Sequence, residues 1–182
     1  KLVAAGVAGS IVAAQPHVAV VRYDADGTLD SSFGDAGKLV LGMNGIGVAT
    51  AVLVQPDGKL LVAGGRQRTE LIPSRAFLMR LTSSGAIDKS YGVGGSIEQP
   101  AFSFSALTFD SRGGTVAAGD VLASYSKSGV FVRDFEPDFA ALGVAVAPGG
   151  KIVAAGTQSF EGSQHVAIAR AGSSNGSTCC GA

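Results

Sequence analysis

Charge is scarce in this sequence, and its signs cancel. Lysine and arginine number 14, aspartate and glutamate 14, and together they make up 15% of 182 residues. Without a basic excess, a nucleic-acid binder that works by neutralising phosphates is excluded. So little charge beside 46% hydrophobic residues excludes a disordered chain as well. No apolar run reaches the roughly 20 residues of a membrane-spanning helix, and collagen's strict glycine period is missing. Histidine and cysteine occur twice each. No serine-centred nucleophile elbow, phosphate-cradling loop or His–Glu zinc motif is present.

Glycine, by contrast, is abundant, with 27 positions against a usual share of roughly 7%. The composition is that of a soluble, strand-prone chain long enough to bury a sizeable core. Its charge content lies below the roughly 25–35% typical of a designed soluble surface, and zero net charge leaves little self-repulsion. Both favour a chain that covers part of its surface with more protein, as a piece of a longer polypeptide or as a subunit. A surface of Ser, Thr and Gly is the plainer alternative.

Internal repetition organises the rest. KLVAAG at residues 1–6 returns as KLLVAG at 59–64 and KIVAAG at 151–156. The start of the chain also resembles a short secretory signal, one positive charge and then a weakly apolar stretch. A targeting peptide has no reason to echo internal strands, so residues 1–6 read as structure and the chain as a mature or excised product. Three features recur in order. A turn and strand appear as QPDGKLLVAGG (55–65), DSRGGTVAAGD (110–120) and APGGKIVAAG (147–156). A strand ending in Arg appears as HVAVVR (17–22), RAFLMR (75–80), VFVR (130–133) and HVAIAR (165–170). A turn and closing loop appear as DADGTLDSSFGDAG (24–37) and TSSGAIDKSYGVGG (82–95).

Each unit reads as four short strands: an apolar inner strand, a hairpin at Asp57-Gly58, the run Leu60–Ala63, a returning RAFLMRL, and a short outer strand near Ser96–Glu98. No stretch carries a helical period. The prediction is an all-β, β-propeller-like array of four-stranded antiparallel blades. Its inner strands fall at about 48–55, 102–109 and 140–147. The whole chain, 1–182, reads as a single repeat domain. Blade A covers 1–45 and lacks its first strand, blade B 46–99, a shortened blade C 100–137 and blade D 138–182. That is three to four blades, an incomplete or irregular ring, so a larger ring, another chain or a borrowed strand is expected to complete it.

The succession DGKLLVAG, an apolar strand closing on Arg, a DG or SG turn with LD or ID, then SFG or SYG, resembles the delta-60 repeat family. The resemblance covers essentially the whole chain, most clearly 16–95, and fades after Arg170. It implies long, repetitive, secreted bacterial proteins with a propeller-like fold, located outside the cell or at its surface. It implies no enzymatic activity.

Several residues invite a chemical reading. Arg22 and Asp30 stand eight apart, as do Arg80 and Asp88. The repeated spacing around a hairpin turn reads as a structural clamp of charge-assisted hydrogen bonds, with Arg133 and Arg170 as the corresponding arginines of the later repeats. An anion-binding arginine ring is the alternative. His17 and His165 occupy one repeat position, shared with Arg75, and read as solvated strand ends rather than metal ligands or acid–base groups. Asp24, Asp26 and Asp30 sit like a calcium loop, but the glycine is misplaced and no glutamate closes it. In the next repeat the first two become Thr82 and Ser84, so a turn is the better reading.

The adjacent Cys179 and Cys180 lack further ligands for zinc. In an oxidising compartment they are disulfide candidates, with each other, another chain or a missing segment. Asn175-Gly176-Ser177 fits a glycosylation acceptor, and the ending CCGA lacks the aliphatic residues of a prenylation box. The tail 171–182 offers little apolar surface and is expected to be ordered only through disulfide chemistry or a neighbouring chain.

The expected function is a non-enzymatic extracellular structural or interaction module, a scaffold that binds other protein chains by self-assembly or as part of a larger propeller. No cofactor, nucleic acid or membrane span is expected. The alternative is a propeller hydrolase or lactonase with a central-channel site, which would need inward carboxylates. The inner strands VATAVLVQ, FSFSALTF and LGVAVA carry none.

Overall fold

Short runs of β-branched and small apolar residues, cut by glycine turns, can satisfy their backbone only by pairing with the run before and the run after. A computed structural model shows this outcome throughout. It describes residues 1–9, 16–43, 45–67, 74–135, 137–171 and 177–180; at residue 160 and from 171 onward the description is of the backbone alone. The described residues form strands and turns without helix. No helix among them is long and apolar enough to cross a membrane.

Strands β1 (Leu2–Ala8), β2 (His17–Tyr23) and β3 (Lys38–Leu41) form a three-stranded sheet. The second sheet has four: β4 (Ile46–Val54), β5 (Leu60–Gln67), β6 (Arg75–Leu81) and β7 (Ser96–Gln99). The third follows with β8 (Phe104–Phe109), β9 (Thr115–Gly119), β10 (Leu122–Tyr125) and β11 (Phe131–Phe135). The fourth contains β12 (Ala140–Ala147), β13 (Lys151–Phe160), β14 (Ser163–Ala171) and β15 (Ser177–Cys180). Every sheet runs in sequence order with antiparallel neighbours, as expected of four-stranded blades. The inner strands β4, β8 and β12 lie where the apolar runs predict them. The first sheet begins at the second-strand position.

The chain divides into two compact units, Lys1–Ser103 and Phe104–Ala182. In the first, Val18, Val20, Phe33, Leu60, Val62, Phe77 and Leu81 form a core between its two sheets. In the second, Val116, Ala118, Leu122, Ala141, Ile152, Ala154 and Ala167 do the same with smaller side chains. The middle strands β5, β6, β9 and β10 are almost wholly buried.

A bulge interrupts each inner strand: between Ala49 and Ala51, between Phe104 and Ala106, and between Ala141 and Gly143. Opposite two of them a glycine is obligatory. A Cβ on Gly64 would stand 1.9 Å from the Val48 carbonyl oxygen, and one on Gly156 the same 1.9 Å from that of Ala140.

Two expectations need correction. Arg133 does not end a third strand. The third strand is β10, and Arg133 lies on the outer strand β11. The Ser126–Val130 turn, with Ser126 N–H donating to Val130 O, matches the turn in which Thr82 N–H donates to Ala86 O; it comes before VFVR, whose likeness to the other Arg-ended strands is superficial. The tail also departs from expectation, because Ser177–Cys180 pairs along β14, with Arg170 opposite Thr178 and Ala169 opposite Cys179. A backbone ladder needs no apolar side chain to form. The thiols of Cys179 and Cys180, residues 172–176 with the Asn175 acceptor, and 181–182 lie outside the described residues.

Candidate functional site

The repeated Arg and Asp meet. In the first sheet Arg22, on β2, directs Nε to Asp30 Oδ2 and Nη2 to Ser32 Oγ at 3.2 Å. In the second, Arg80 on β6 directs Nε to Asp88 Oδ2 at 2.9 Å and Nη2 to Ser90 Oγ at 3.0 Å. Each carboxylate folds its own loop with the second oxygen: Asp30 Oδ1 accepts from the Ser32 amide at 3.1 Å and Asp88 Oδ1 from the Ser90 amide, also at 3.1 Å. The guanidinium groups stack on the aromatic ring three residues beyond the Asp, Arg22 over Phe33 and Arg80 over Tyr91, both at 4.6 Å.

A third charge completes each clamp, and this one escaped sequence reasoning. Lys1 Nζ bonds Asp30, and Lys59 Nζ reaches Asp88 at 3.0 Å. The signal was present: each lysine opens the repeated strand and precedes its aspartate by 29 residues. Donors from lysine, serine and arginine hold both carboxylates well below the usual carboxylate range. For Asp30 the Lys1 bond weighs most, for Asp88 the Ser90 hydroxyl and then Lys59. Lys1 is raised in turn, chiefly by Asp30. Arg22 Nη1 also donates to Ser83 O in the neighbouring sheet, and Gly34 N–H donates to Ser84 O at 2.9 Å, so the clamp joins two sheets.

The other acidic residues of the first loop have separate tasks. Asp26 accepts from Thr28 N–H at 3.0 Å, and Asp24 pairs with Lys1 at 3.3 Å. Among the described residues no group of three or more His, Cys, Asp or Glu is placed to hold a metal ion. His165 is exposed on β14. His17 is half-buried, with Nδ1 buried and without a hydrogen-bond partner among the described residues, so its strand end is less solvated than expected. Arg66, buried on β5, pairs with Glu98 of β7, an ion pair the repeat pattern does not reveal.

The clamp does not persist. Val3↔Arg22, Leu61↔Arg80, Val116↔Ser124 and Val153↔Arg170 are equivalent pairs in the four sheets. The third sheet therefore carries Ser124 at the arginine position. By the same count Gly114 replaces the lysine. The bridges Tyr23↔Leu29 and Leu81↔Ile87 correspond to Tyr125↔Phe131, which puts Val132 at the aspartate position. In the fourth sheet Arg170 keeps its register but is exposed. The third sheet instead holds a cavity of about 220 Å³, bordered by Asp110, Arg112, Ser124, Val132, Arg133 and the Gly149–Gly150 turn.

The chain resembles a solved structure, a protein of unknown function from Bacteroides caccae. The two share 12% identity and a TM-score of 0.53, with 88% of this chain covered. The match spans about half (53%) of that structure's length, and at this identity it speaks to the fold alone. No curated protein matches the sequence. A family model described as a domain of unknown function (DUF5122) beta-propeller matches residues 1–33, 55–91 and 148–179. Its matched segments include both intact clamps and omit the third sheet. With segments matched in three of its four sheets, together more than half of the chain, the chain belongs to the DUF5122 beta-propeller family.

Proposed function

We propose that the chain is a non-enzymatic structural and interaction module of the delta-60 kind, working outside the cell or at its surface, whose sheets take up strands from other protein. One observation carries this reading. Strand β1 lies at the edge of its sheet, and its Gly6 holds the register of Gly64 and Gly156. Those two glycines are needed because a bulged inner strand presses against them. At Gly6 nothing among the described residues lies within 4 Å of the Cβ position. The edge keeps the surface that receives an inner strand, and a strand from another stretch of the same polypeptide or from another chain would fit it by strand addition.

The repeated polar residues support the same reading, since both intact clamps are spent on holding loops and joining sheets. The inner strands β4, β8 and β12 carry no carboxylate for a central-channel hydrolase. The test has two arms: sedimentation of the full chain over a concentration range, and titration of the chain with a synthetic peptide of its own inner strand, residues 46–58. Association in either arm is expected, and Gly6→Val should abolish it without lowering the melting temperature. No association in both arms, or association that Gly6→Val leaves intact, overturns the proposal.

A further inference from the structure

We infer that the open face of the fourth sheet docks the first sheet of a second copy of the chain, head to tail. Asp26 of that copy supplies the carboxylate that the fourth sheet's clamp lacks. The joint between the first two sheets shows what such a face requires. There Val18 and Val20 of β2 share a core with Leu60, Val62 and Phe77 of the next sheet and are fully buried. Arg22, two residues on, donates to the Ser83 carbonyl in that sheet's turn, and Gly34 N–H donates to Ser84 O. The register places Val166, Ile168 and Arg170 of β14 where Val18, Val20 and Arg22 stand. Here Val166 is 74% exposed and Ile168 49%, and Arg170 is exposed with them. The opposite face of the same sheet, with Ile152, Ala154 and Ala167, shares a core with Val116 and Ala118 of the third.

Charge names the occupant. Lys151 and Arg170 hold the repeat positions of the clamp cations Lys1 and Arg22, and both are exposed. The acid that belongs between them is missing, since residues 171–182 contain no Asp or Glu. Two cations beside an apolar face call for a partner that is itself apolar and carries an acid at its turn. The first sheet offers both. Leu2, at the position of Leu60 and Ile152, is 61% exposed where they are 1% and 3%. The turn Asp24-Ala25-Asp26-Gly27 is the counterpart of Thr82-Ser83-Ser84-Gly85, for the glycine N–H closes each onto its first residue, at 3.1 and 3.0 Å. Asp26 thus stands at the position of Ser84, in the turn that Arg22 reaches in the intact joint. Asp24 is paired with Lys1. Asp26 is exposed, and its Oδ1 accepts from Thr28 N–H at 3.0 Å and Thr28 Oγ1 at 2.7 Å. The Thr28 amide and then its hydroxyl hold Asp26 below the usual carboxylate value, so it meets the two cations ionised. Zero net charge adds no general repulsion between copies.

The inference rests on the reading of the chain as an interaction module, but it uses a surface other than the β1 edge. The experiment is sedimentation of the full chain under reducing conditions, for the wild type, Arg170→Asp, Asp26→Arg and an equimolar mixture of the two variants. The wild type should associate as concentration rises, and more weakly in high salt. Each variant alone sets like charges against each other at the joint, which should weaken association by at least about tenfold. The mixture should associate again, because each open face then meets an opposite charge on the other variant, and misfolded chains could not restore one another. Three outcomes overturn the inference: variants that associate as well as the wild type, a mixture no stronger than its components, or a wild type that stays monomeric, as it would were the face reserved for a further sheet of the same polypeptide. Titration with the 46–58 peptide reads strand addition separately, since Arg170→Asp leaves the β1 edge intact. Peptide binding without restored association strikes the docking alone, and restored association without peptide binding strikes strand addition alone.

Discussion

A buried carboxylate is stable only while every lone pair it exposes finds a donor. Asp88 meets this condition through Arg80, Lys59 and both donors of Ser90. Because Asp30 and Asp88 titrate below their ordinary value of 3.8 in the folded chain, they bind protons more readily unfolded than folded. Their contribution is complete above about pH 5 and is lost as pH falls toward the folded values. Denaturant titrations from pH 7 to pH 2 should show a flat plateau and then a steep acid limb. Asp88→Asn should shallow that limb and lower stability at neutral pH by about 2 kcal/mol, since Arg80 keeps its burial and loses its counter-charge.

At the scale of the strand, one glycine position gives opposite expectations in different sheets. Gly64→Ala and Gly156→Ala drive a methyl into a backbone carbonyl that a bulge holds in place, and each should cost about 2–3 kcal/mol. Gly6→Ala meets open space and should be neutral or slightly stabilising, by up to about 1 kcal/mol. Thermal unfolding of the three variants measures the contrast. The same comparison shows how far the sequence could be read. Strand order, the inner strands and the Arg–Asp spacing were legible, because turn glycines and apolar runs act locally. The exchange of Arg80 for Ser124 was not legible, since VFVR resembles an Arg-ended third strand and only backbone pairing shows it to be the outer one. Nor was the cavity, which depends on three distant replacements at once.

In the second and third sheets burial is graded from strand to strand. The middle strands β5, β6 and β9 are nearly solvent-free, whereas β11 exposes Phe131 and Val132 and β3 alternates exposed with half-buried residues. Hydrogen exchange should follow this grade, because local opening reaches strands with few buried contacts first. Mass-resolved exchange should find β5, β6 and β9 slowest and β3, β7 and β11 fastest. Uniform protection across a sheet would contradict that ordering.

The sequential order of every sheet has a kinetic consequence. Each strand pairs with the strand just made, so a sheet closes on contacts between near neighbours in the chain, and little loop-closure entropy precedes them. Lys59 meets Asp88 over 29 residues, inside one sheet. The bond from Arg22 to Ser83 spans 61 residues and requires a turn from the second sheet. A chain emerging from the ribosome therefore assembles one sheet at a time. The first clamp forms before its acceptor on the second sheet has been synthesised, and the joint between those sheets closes only after Ser83 arrives.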